Sequence, residues 1–223
     1  MDQPGLDPLR HARALRGLER INIWSRSASL VWSAIRPLAL AHRSRPLRIL
    51  DVASGGGDVA VGIARLASRA GVEVEIMGCD LSDTAVEYAS RQAAARGVDI
   101  AFHQCDVFRD PLPDNFDCVV SSLFLHHLTR EQAVELLCKM RAAARRMVVV
   151  NDLIRSKLGW MLAITATRLL TRSDVVHTDG PLSVRAAFTT AEAAELARLA
   201  ELDGAVITKR WPFRFLMQWT RPQ

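Results

Sequence analysis

The chain has 223 residues, of which 49% are hydrophobic and 24% charged, so it can bury one large core as a single domain. Its formal charge of +5 is concentrated in residues 1–48, which carry nine arginines and three acids, whereas the remaining 175 residues sum to −1. The four scattered cysteines form no C-x-x-C pair, which argues against a structural zinc site or a disulfide framework. The N-terminus lacks the basic start and apolar run of a secretory signal, so we expect a cytoplasmic protein.

The basic N-terminal segment, residues 1–46, is predicted to form a helical cap. Arg10, Arg13, Arg16 and Arg20 recur at spacings of three or four residues, which places them on one side of a helix. Such a face could meet nucleic acid, acidic lipid or an anionic substrate, or it could simply be solvated.

Short apolar runs rich in Val and Ile alternate with helical patterns along residues 47–152. These patterns predict strands at 48–53, 74–80, 99–106, 116–122 and 146–152, and helices at 59–70, 82–96 and 130–144. Pro111 and Pro113 argue against a helix between the third and fourth strands. The repeated order of strand, crossover and strand predicts a parallel, doubly wound sheet, with its ligand site at the carboxyl ends of the strands.

Residues 153–189 are predicted to be an insertion after the fifth strand. Its apolar helical stretch, 158–170, is too short to span a bilayer and contains Arg168, so we interpret it as a lid over an apolar pocket or as packing at the sheet edge. The final part, residues 190–223, contains a helix at 190–202 and two β-rich runs that predict a C-terminal hairpin. We therefore predict that residues 1–223 form one domain, with residues 47–152 as its core.

The stretch DVASGGGD, residues 51–58, follows the first predicted strand. An acid 23 residues beyond Gly57, Asp80, closes the second strand, where its carboxylate could bind the two hydroxyls of a ribose. Asp58 directly follows the glycines, at a helix N-terminus that would otherwise favour a pyrophosphate, and its charge would repel one. A ligand with adenine and ribose but no phosphate, such as S-adenosylmethionine, fits these residues.

The stretch ILDVASGGGDVA resembles motif I of class I S-adenosylmethionine-dependent methyltransferases, in the form found in ubiquinone/menaquinone biosynthesis methyltransferases. In that form an alanine, here Ala53, replaces the first glycine of D-x-G-x-G-x-G. CDLS at 79–82 resembles the ribose motif, and residues 104–128 resemble the adenine-binding acid and the fourth strand. The resemblance implies a Rossmann-like, doubly wound sheet of seven strands that is mostly parallel and ends in an antiparallel hairpin.

The resemblance also implies roles for individual residues. Asp80 would bind the ribose with Leu81 against the adenine, and Asp106 would accept a hydrogen bond from the adenine amino group with Val107 on the ring face. The glycines allow close approach to the cofactor because a β-carbon would collide there. The full predicted cofactor-binding set is Asp51, Ala53, Ser54, Gly55, Gly57, Asp80, Leu81, Asp106, Val107, Ser122 and Arg26.

A general base is expected in the segment LFLHHL, residues 123–128, which follows the fourth strand. Either His126 or His127 could face the methyl group, with His127 slightly favoured, and Asp152 at the end of the fifth strand is a second candidate. The alternative is that these histidines are buried and purely structural. We expect no catalytic metal, because Ser121 and Ser122 stand where catechol-type enzymes of the family place a metal-binding acid.

The substrate is expected to be a lipophilic, aromatic hydroxylated small molecule, such as a quinone precursor or a polyketide phenol, methylated on oxygen or on carbon. Candidate substrate contacts are Trp24, Trp160, His177 and Arg185. Alternatives are an RNA-modifying enzyme, which the basic N-terminus would permit, and an idle cofactor-binding protein that serves a partner. We expect a small-molecule partner rather than nucleic acid, with transient contact to a membrane surface; the oligomeric state is not predicted.

Overall fold

One mixed sheet of seven strands organises the structure, a computed structural model that describes residues 15–16, 19–22, 25–41, 45–170 and 174–222. In chain order the strands are β1 (Leu47–Val52), β2 (Val74–Asp80), β3 (Ala101–Gln104), β4 (Phe116–Ser122), β5 (Ala144–Leu153), β6 (Val206–Arg210) and β7 (Arg214–Thr220). Their spatial order is β3-β2-β1-β4-β5-β7-β6. Strands β1 to β5 are parallel, and β7 runs antiparallel to both of its neighbours, β5 and β6.

Helices cover both faces of this sheet. From residue 25 onward, within the described residues, they are α1 (Ser27–Ala41), α2 (Asp58–Arg69), α3 (Asp83–Ala95), α4 (Arg130–Ala143), α5 (Lys157–Leu170), α6 (Asp174–Ala186) and α7 (Thr190–Leu199). Residues 15–16 and 19–22 are also helical. Apolar side chains of α1, α2 and α3 form one core layer, and those of α4 and α7 form a second layer with the opposite face of the sheet. This is the doubly wound arrangement that the alternating pattern predicts.

The amino-acid pattern explains where the elements lie. Every residue of the central strand β4 is buried except the last, which fits its continuous apolar run, while the edge strands β3 and β6 are largely exposed. Helix α3 begins after Ser82, whose hydroxyl accepts a hydrogen bond from the Ala85 amide. Thr129 and Thr189 form capping boxes at the starts of α4 and α7. The capping residues therefore set where these helices begin, and the apolar runs set which strands are buried.

The predicted Rossmann-like sheet with its C-terminal hairpin is confirmed, and most element boundaries lie within two residues of the prediction. Strand β3 is shorter than predicted, and the last helix ends at Leu199. The sequence pattern did not predict helix α6, which contains Gly180 and Pro181. A β-carbon at Gly180 would lie 2.6 Å from the Thr167 side chain, so close packing against α5 explains this glycine within a helix.

The sheet order reverses between β1 and β4, which are neighbours although β2 and β3 intervene in the chain. Loops that leave these two strands depart to opposite faces of the sheet, and a crevice opens between them. Strand β7 enters the sheet at the same edge, because its first residue, Arg214, pairs with Leu153 at the end of β5. No helix among the described residues is both long and apolar enough to cross a bilayer.

Candidate cofactor and active site

A cavity of about 680 Å³ lies at the carboxyl ends of the parallel strands. The loop after β1, the end of β2, residues 105–108 and residues 122–127 form its floor and sides. Helices α5 and α6 and residues 212–214 form the opposite wall. A cavity of this size can hold a nucleoside-sized ligand together with a second small molecule.

The glycine loop, residues 53–57, turns sharply beneath this cavity. Ala53, Gly55 and Gly57 all have positive φ, at 56°, 53° and 74°. A β-carbon at Gly57 would lie 2.8 Å from the Ala89 and Phe102 side chains, so this glycine is required by packing where helix α2 begins. A β-carbon at Gly55 would have no protein atom within 4 Å, although Gly55 lines the cavity. Gly55 therefore leaves space that a ligand could occupy.

Asp80 connects the glycine loop to the end of β2. One carboxylate oxygen accepts a hydrogen bond from the Gly55 amide at 2.8 Å, and the other accepts one from the Ser82 amide at 2.9 Å. Each carboxylate oxygen can accept more than one hydrogen bond, so these two bonds do not prevent Asp80 from also accepting from ribose hydroxyls. Leu81 lies next to Asp80 with 64% of its surface exposed, and both residues line the cavity.

The loop after β3 forms a shelf beside Leu81. The Asp106 carboxylate accepts a hydrogen bond from the Phe108 amide at 3.0 Å, and Val107 is buried against the cavity. Lys139 of helix α4 donates to the carbonyl oxygens of Val107 and Phe108 at 2.8 and 2.9 Å. The side chain of a distant helix thus fixes the shape of this shelf.

Two carboxyl groups beside the glycine loop have raised pKa values. Asp51 is 1% exposed and its Oδ2 has no hydrogen-bond partner among the described residues. Burial, with further contributions from the charges of Asp58 and Asp80, raises the pKa of Asp51 to about 8. Burial also raises the pKa of Asp58 to about 6, while a hydrogen bond with Asn22 opposes that rise. Both groups would be stabilised in their charged forms by a cation in the cavity.

His126 and Asp152 form a buried pair at the other end of the cavity. The His126 Nδ1 lies 2.7 Å from the Asp152 Oδ1, and both side chains are almost completely buried. Burial alone would raise the pKa of Asp152, but the charge and hydrogen bond of His126 hold it below its ordinary value. An ionised carboxylate can only accept, so the His126 Nδ1 donates this hydrogen bond, and Nε2 is the ring nitrogen that Asp152 does not engage. His126 lines the cavity.

His127 also lines the cavity, but it is exposed, and its ring centroid lies 4.2 Å from that of His126. Both histidines belong to a short 3-10 turn, Leu125–His127, which the sequence pattern did not predict. The geometry favours His126 over His127 as a base, because a buried carboxylate orients its ring.

The structure brings most of the predicted site residues together. The cavity wall includes Asp51, Ala53, Ser54, Gly55, Asp80, Leu81, Asp106, Val107, Ser122, His126 and His127. Gly57 and Asp152 stand directly behind this wall, where Gly57 begins helix α2 and Asp152 orients His126. The Ser122 hydroxyl accepts a hydrogen bond from Asn151 at 2.9 Å.

Four other predicted residues do not line the cavity. Arg26 is exposed and has a positive φ of 56°. Trp160 lies on α5, and His177 and Arg185 lie on α6, but none of the three is part of the cavity wall. Trp24 lies outside the described residues, as do Arg10 and Arg13 of the predicted basic face. Arg16 and Arg20 of that face are exposed.

Sequence reasoning missed Arg214, which is buried and lines the cavity. It stands at the beginning of an apolar strand, and an antiparallel strand begins at the edge where the parallel strands end. An arginine at that position is therefore a signal that could have been found once the hairpin was predicted. In the described part of the chain, no group of three or more His, Cys, Asp or Glu side chains is arranged to hold a metal ion.

Comparison with known proteins agrees with this geometry. Residues 49–146 match a family model described as a methyltransferase domain. The demethylmenaquinone methyltransferase of a Thermus thermophilus strain is 34% identical over 126 residues, which are 56% of this chain and 55% of that protein. The ubiquinone/menaquinone biosynthesis C-methyltransferase UbiE of a Pseudomonas putida strain is 30% identical over 108 residues, or 47% of this chain and 41% of that protein. The chain thus spans about half the length of these curated relatives.

Among solved structures, human N-acetylserotonin methyltransferase in complex with S-adenosylmethionine has a TM-score of 0.69 at 16% identity, over 97% of this chain and 57% of that one. This likeness concerns the fold. Together the comparisons confirm the predicted resemblance to class I S-adenosylmethionine-dependent methyltransferases, and S-adenosylmethionine as the cofactor of this type of domain.

We expect the substitution Asp51→Asn to stabilise the ligand-free protein more at pH 8 than at pH 5. The carboxyl ionises near 3.8 when unfolded and near 8 when folded, so between these values ionisation favours the unfolded chain. One unit of pKa difference corresponds to about 1.4 kcal/mol. The advantage of the variant should therefore grow by at least about 1.4 kcal/mol over this interval in urea unfolding.

The exposed Asp99 provides a matched control. Asp99→Asn should change the free energy of unfolding equally at both pH values. An advantage of Asp51→Asn that did not vary with pH would contradict the raised pKa of Asp51.

Proposed function

We propose that this chain, which resembles class I S-adenosylmethionine-dependent methyltransferases, methylates a lipophilic, aromatic hydroxylated small molecule on oxygen or on an activated ring carbon. The observation that carries this proposal is a single cavity that joins the glycine loop and Asp80 to the His126–Asp152 pair. A cofactor on one side and an acceptor on the other would then meet in a site sheltered from water.

The residues on the glycine-loop side fit S-adenosylmethionine. Gly55 leaves space for close approach, Asp80 places a carboxylate beside this space, and Val107 supplies an apolar surface for the adenine ring. The Oδ2 of Asp51 has no hydrogen-bond partner in the described part of the chain, and this group and the nearby Asp58 suit the positive charges of the cofactor. When bound, S-adenosylmethionine would supply an activated methyl group on a positively charged sulfonium sulfur, which becomes the neutral thioether of S-adenosylhomocysteine once the methyl is transferred.

The opposite wall fits an apolar acceptor. Leu162, Ala163 and Ala166 of α5 face the cavity, and Val176 and Val184 of α6 do the same. Apolar lining with a few aimed polar groups is typical of small-molecule sites. The curated relatives are named for quinone biosynthesis, which supports an acceptor of this lipophilic, aromatic class.

His126 would act as the general base. Methylation of a hydroxyl or of a ring carbon releases a proton, and Nε2 of His126 is the nitrogen that can accept it while Asp152 stabilises the resulting imidazolium. His126 is thus assigned the role that the sequence divided between two histidines. The four cysteines are free, in keeping with the reducing, cytoplasmic compartment that we propose.

Calorimetry with S-adenosylhomocysteine tests the cofactor assignment. The wild-type protein should bind it, and Asp80→Ala should weaken binding by more than about 1 kcal/mol, the scale of one hydrogen bond to a charged group. Asp80→Asn should bind with an affinity between those of the wild type and Asp80→Ala, because asparagine keeps one acceptor oxygen for the Gly55 amide. Asp99→Ala, at an exposed acid that does not line the cavity, should bind like wild type. Absence of binding by the wild type would refute the proposed function.

The base assignment is tested by S-adenosylhomocysteine release with a panel of hydroxylated aromatic acceptors. His126→Gln and Asp152→Asn should each lower turnover by about 10²-fold or more, the usual contribution of general base catalysis. Affinity for S-adenosylhomocysteine should change less than about twofold, since neither residue belongs to the glycine-loop side. The exposed His103→Gln serves as the control. Equal losses of turnover and of cofactor affinity in His126→Gln would indicate a structural role instead.

We also propose that the outer face of α5 contacts anionic lipid surfaces, from which a lipophilic acceptor could be taken up. This face exposes Leu158, Met161 and Leu169 by 65%, 59% and 79%. Lys157 and Arg168 are exposed near its two ends, and the helix contains no acidic residue. Apolar side chains flanked by cations are the pattern of helices that lie in the interface of an anionic bilayer.

Co-sedimentation with phosphatidylglycerol-containing vesicles tests this contact. The wild type should bind these vesicles more than pure phosphatidylcholine vesicles, and Met161→Glu should abolish the difference by opposing both the apolar and the cationic contributions. Val206→Glu makes the same change at an exposed residue of β6 and should have no effect. If the outer face of α5 instead mediates self-association, Met161→Glu would alter the sedimentation velocity of the lipid-free protein and leave vesicle binding unchanged.

A further inference from the structure

Arg214 is a buried charge in the cavity wall that the proposed chemistry does not use. It begins strand β7 opposite Leu153, and only 2% of its surface is exposed. It also lines the cavity that the glycine loop and His126 share. Arginines are almost never fully buried without a partner.

Hydrogen bonds with the described residues use only a small part of the donor capacity of Arg214. A guanidinium has five N–H donors. Within the described part of the chain, its side chain donates one hydrogen bond, from Nη1 to the Ser27 hydroxyl at 2.5 Å, and its Nε has no partner. No ion pair of Arg214 with a described carboxylate is formed. Since an unpaired buried charge is costly, an anion that accepts hydrogen bonds from this guanidinium would stabilise it.

The surrounding charges locate Arg214 between the two halves of the cavity. Burial lowers the pKa of Arg214 to about 10, and the charges of Asp152 and Asp58 partly offset that effect. The group therefore stays protonated at neutral pH. Asp58 belongs to the glycine-loop side and Asp152 to the side of His126, so an anion held at Arg214 would lie near the junction of the two.

We propose that Arg214 is the anion-recognising residue of this cavity, and that it binds a carboxylate or phenolate oxygen of a bound small molecule. This inference rests on the proposed function and extends it. The rigid, planar fork of donors on a guanidinium matches a carboxylate better than an ammonium does. Two sources of such an oxygen are available: the amino-acid tail of the cofactor, and an acidic group on the methyl acceptor.

The second source would add a specificity to the reaction. An acceptor with an acidic group at Arg214 would be held at a fixed distance from His126, with its ring against the apolar wall of α5 and α6. An uncharged analogue of the same size would leave the buried charge unpaired, and enzymes discriminate strongly against such ligands.

Calorimetry with three ligands tests the assignment and separates the two sources. S-adenosylhomocysteine carries the amino-acid tail, whereas 5′-methylthioadenosine lacks it and its carboxylate. 2-Hydroxybenzoate, compared with uncharged 2-hydroxybenzamide on protein saturated with S-adenosylhomocysteine, serves as an acceptor-like anion. The variants are Arg214→Met, which keeps the buried volume without the charge, and Arg214→Lys, which keeps the charge without the fork. Arg198→Met, at an exposed arginine of α7, is the control.

If the cofactor supplies the anion, Arg214→Met should weaken the binding of S-adenosylhomocysteine at least about tenfold and leave the binding of 5′-methylthioadenosine unchanged. The affinity of Arg214→Lys for S-adenosylhomocysteine should lie between those of wild type and Arg214→Met. If the acceptor supplies it, both nucleosides should bind normally, while the preference of the wild type for 2-hydroxybenzoate over the benzamide disappears in Arg214→Met. Unchanged binding of all ligands by Arg214→Met would overturn the inference.

Thermal unfolding of each variant separates loss of recognition from loss of structure. Arg214→Met should be at least as stable as wild type, because an unpaired buried charge is replaced by an apolar side chain. Failure of the wild type to bind S-adenosylhomocysteine would instead refute the proposed function itself. The two failures are therefore distinguishable.

Discussion

The hydrogen bond between the Asp80 carboxylate and the Gly55 amide connects the two halves of the cofactor side of the cavity. It forms only because β1 and β2 are neighbours in register, with Val52 opposite Cys79. It also requires the glycine loop to turn with positive φ, so that the Gly55 N–H faces the end of β2. Gly78 in β2 contributes to this closeness, since a β-carbon there would lie 2.5 Å from the Phe102 ring and 3.0 Å from the Ser54 hydroxyl.

The same arrangement concentrates charge in a buried place. Asp51, Asp58 and Arg214 are held near the cavity by strands and helices that fold for other reasons, namely the burial of two apolar layers. None of the three is neutralised by a close ion pair with a described residue, and burial shifts the pKa of each toward its neutral form. Functional sites commonly retain such destabilising groups because a ligand supplies the missing partner.

Much of the fold could be predicted because local and global signals agree. Continuous apolar runs are typical of buried parallel strands, and the caps at Ser82, Thr129 and Thr189 mark helix starts without reference to the rest of the chain. Helix α6 escaped prediction because its Gly180 and Pro181 oppose a helix locally. Gly180 packs closely against Thr167 of α5, a contact that sequence periodicity does not record.

The cofactor side was readable from the order of strands and acids: Asp51, the glycines, Asp80 and Asp106 follow strands whose carboxyl ends must meet at one edge of a parallel sheet. The acceptor side was not. Which of two adjacent histidines carries a carboxylate partner depends on how the turn after β4 lies against β5, and Arg214 reaches the cavity only because β7 is antiparallel. Periodicity and spacing were enough to predict a parallel, doubly wound sheet and the carboxylates at the ends of its strands. Only the tertiary structure decided the pairing of His126 with Asp152 and the isolation of Arg214, because contacts between residues distant in the chain depend on three-dimensional packing.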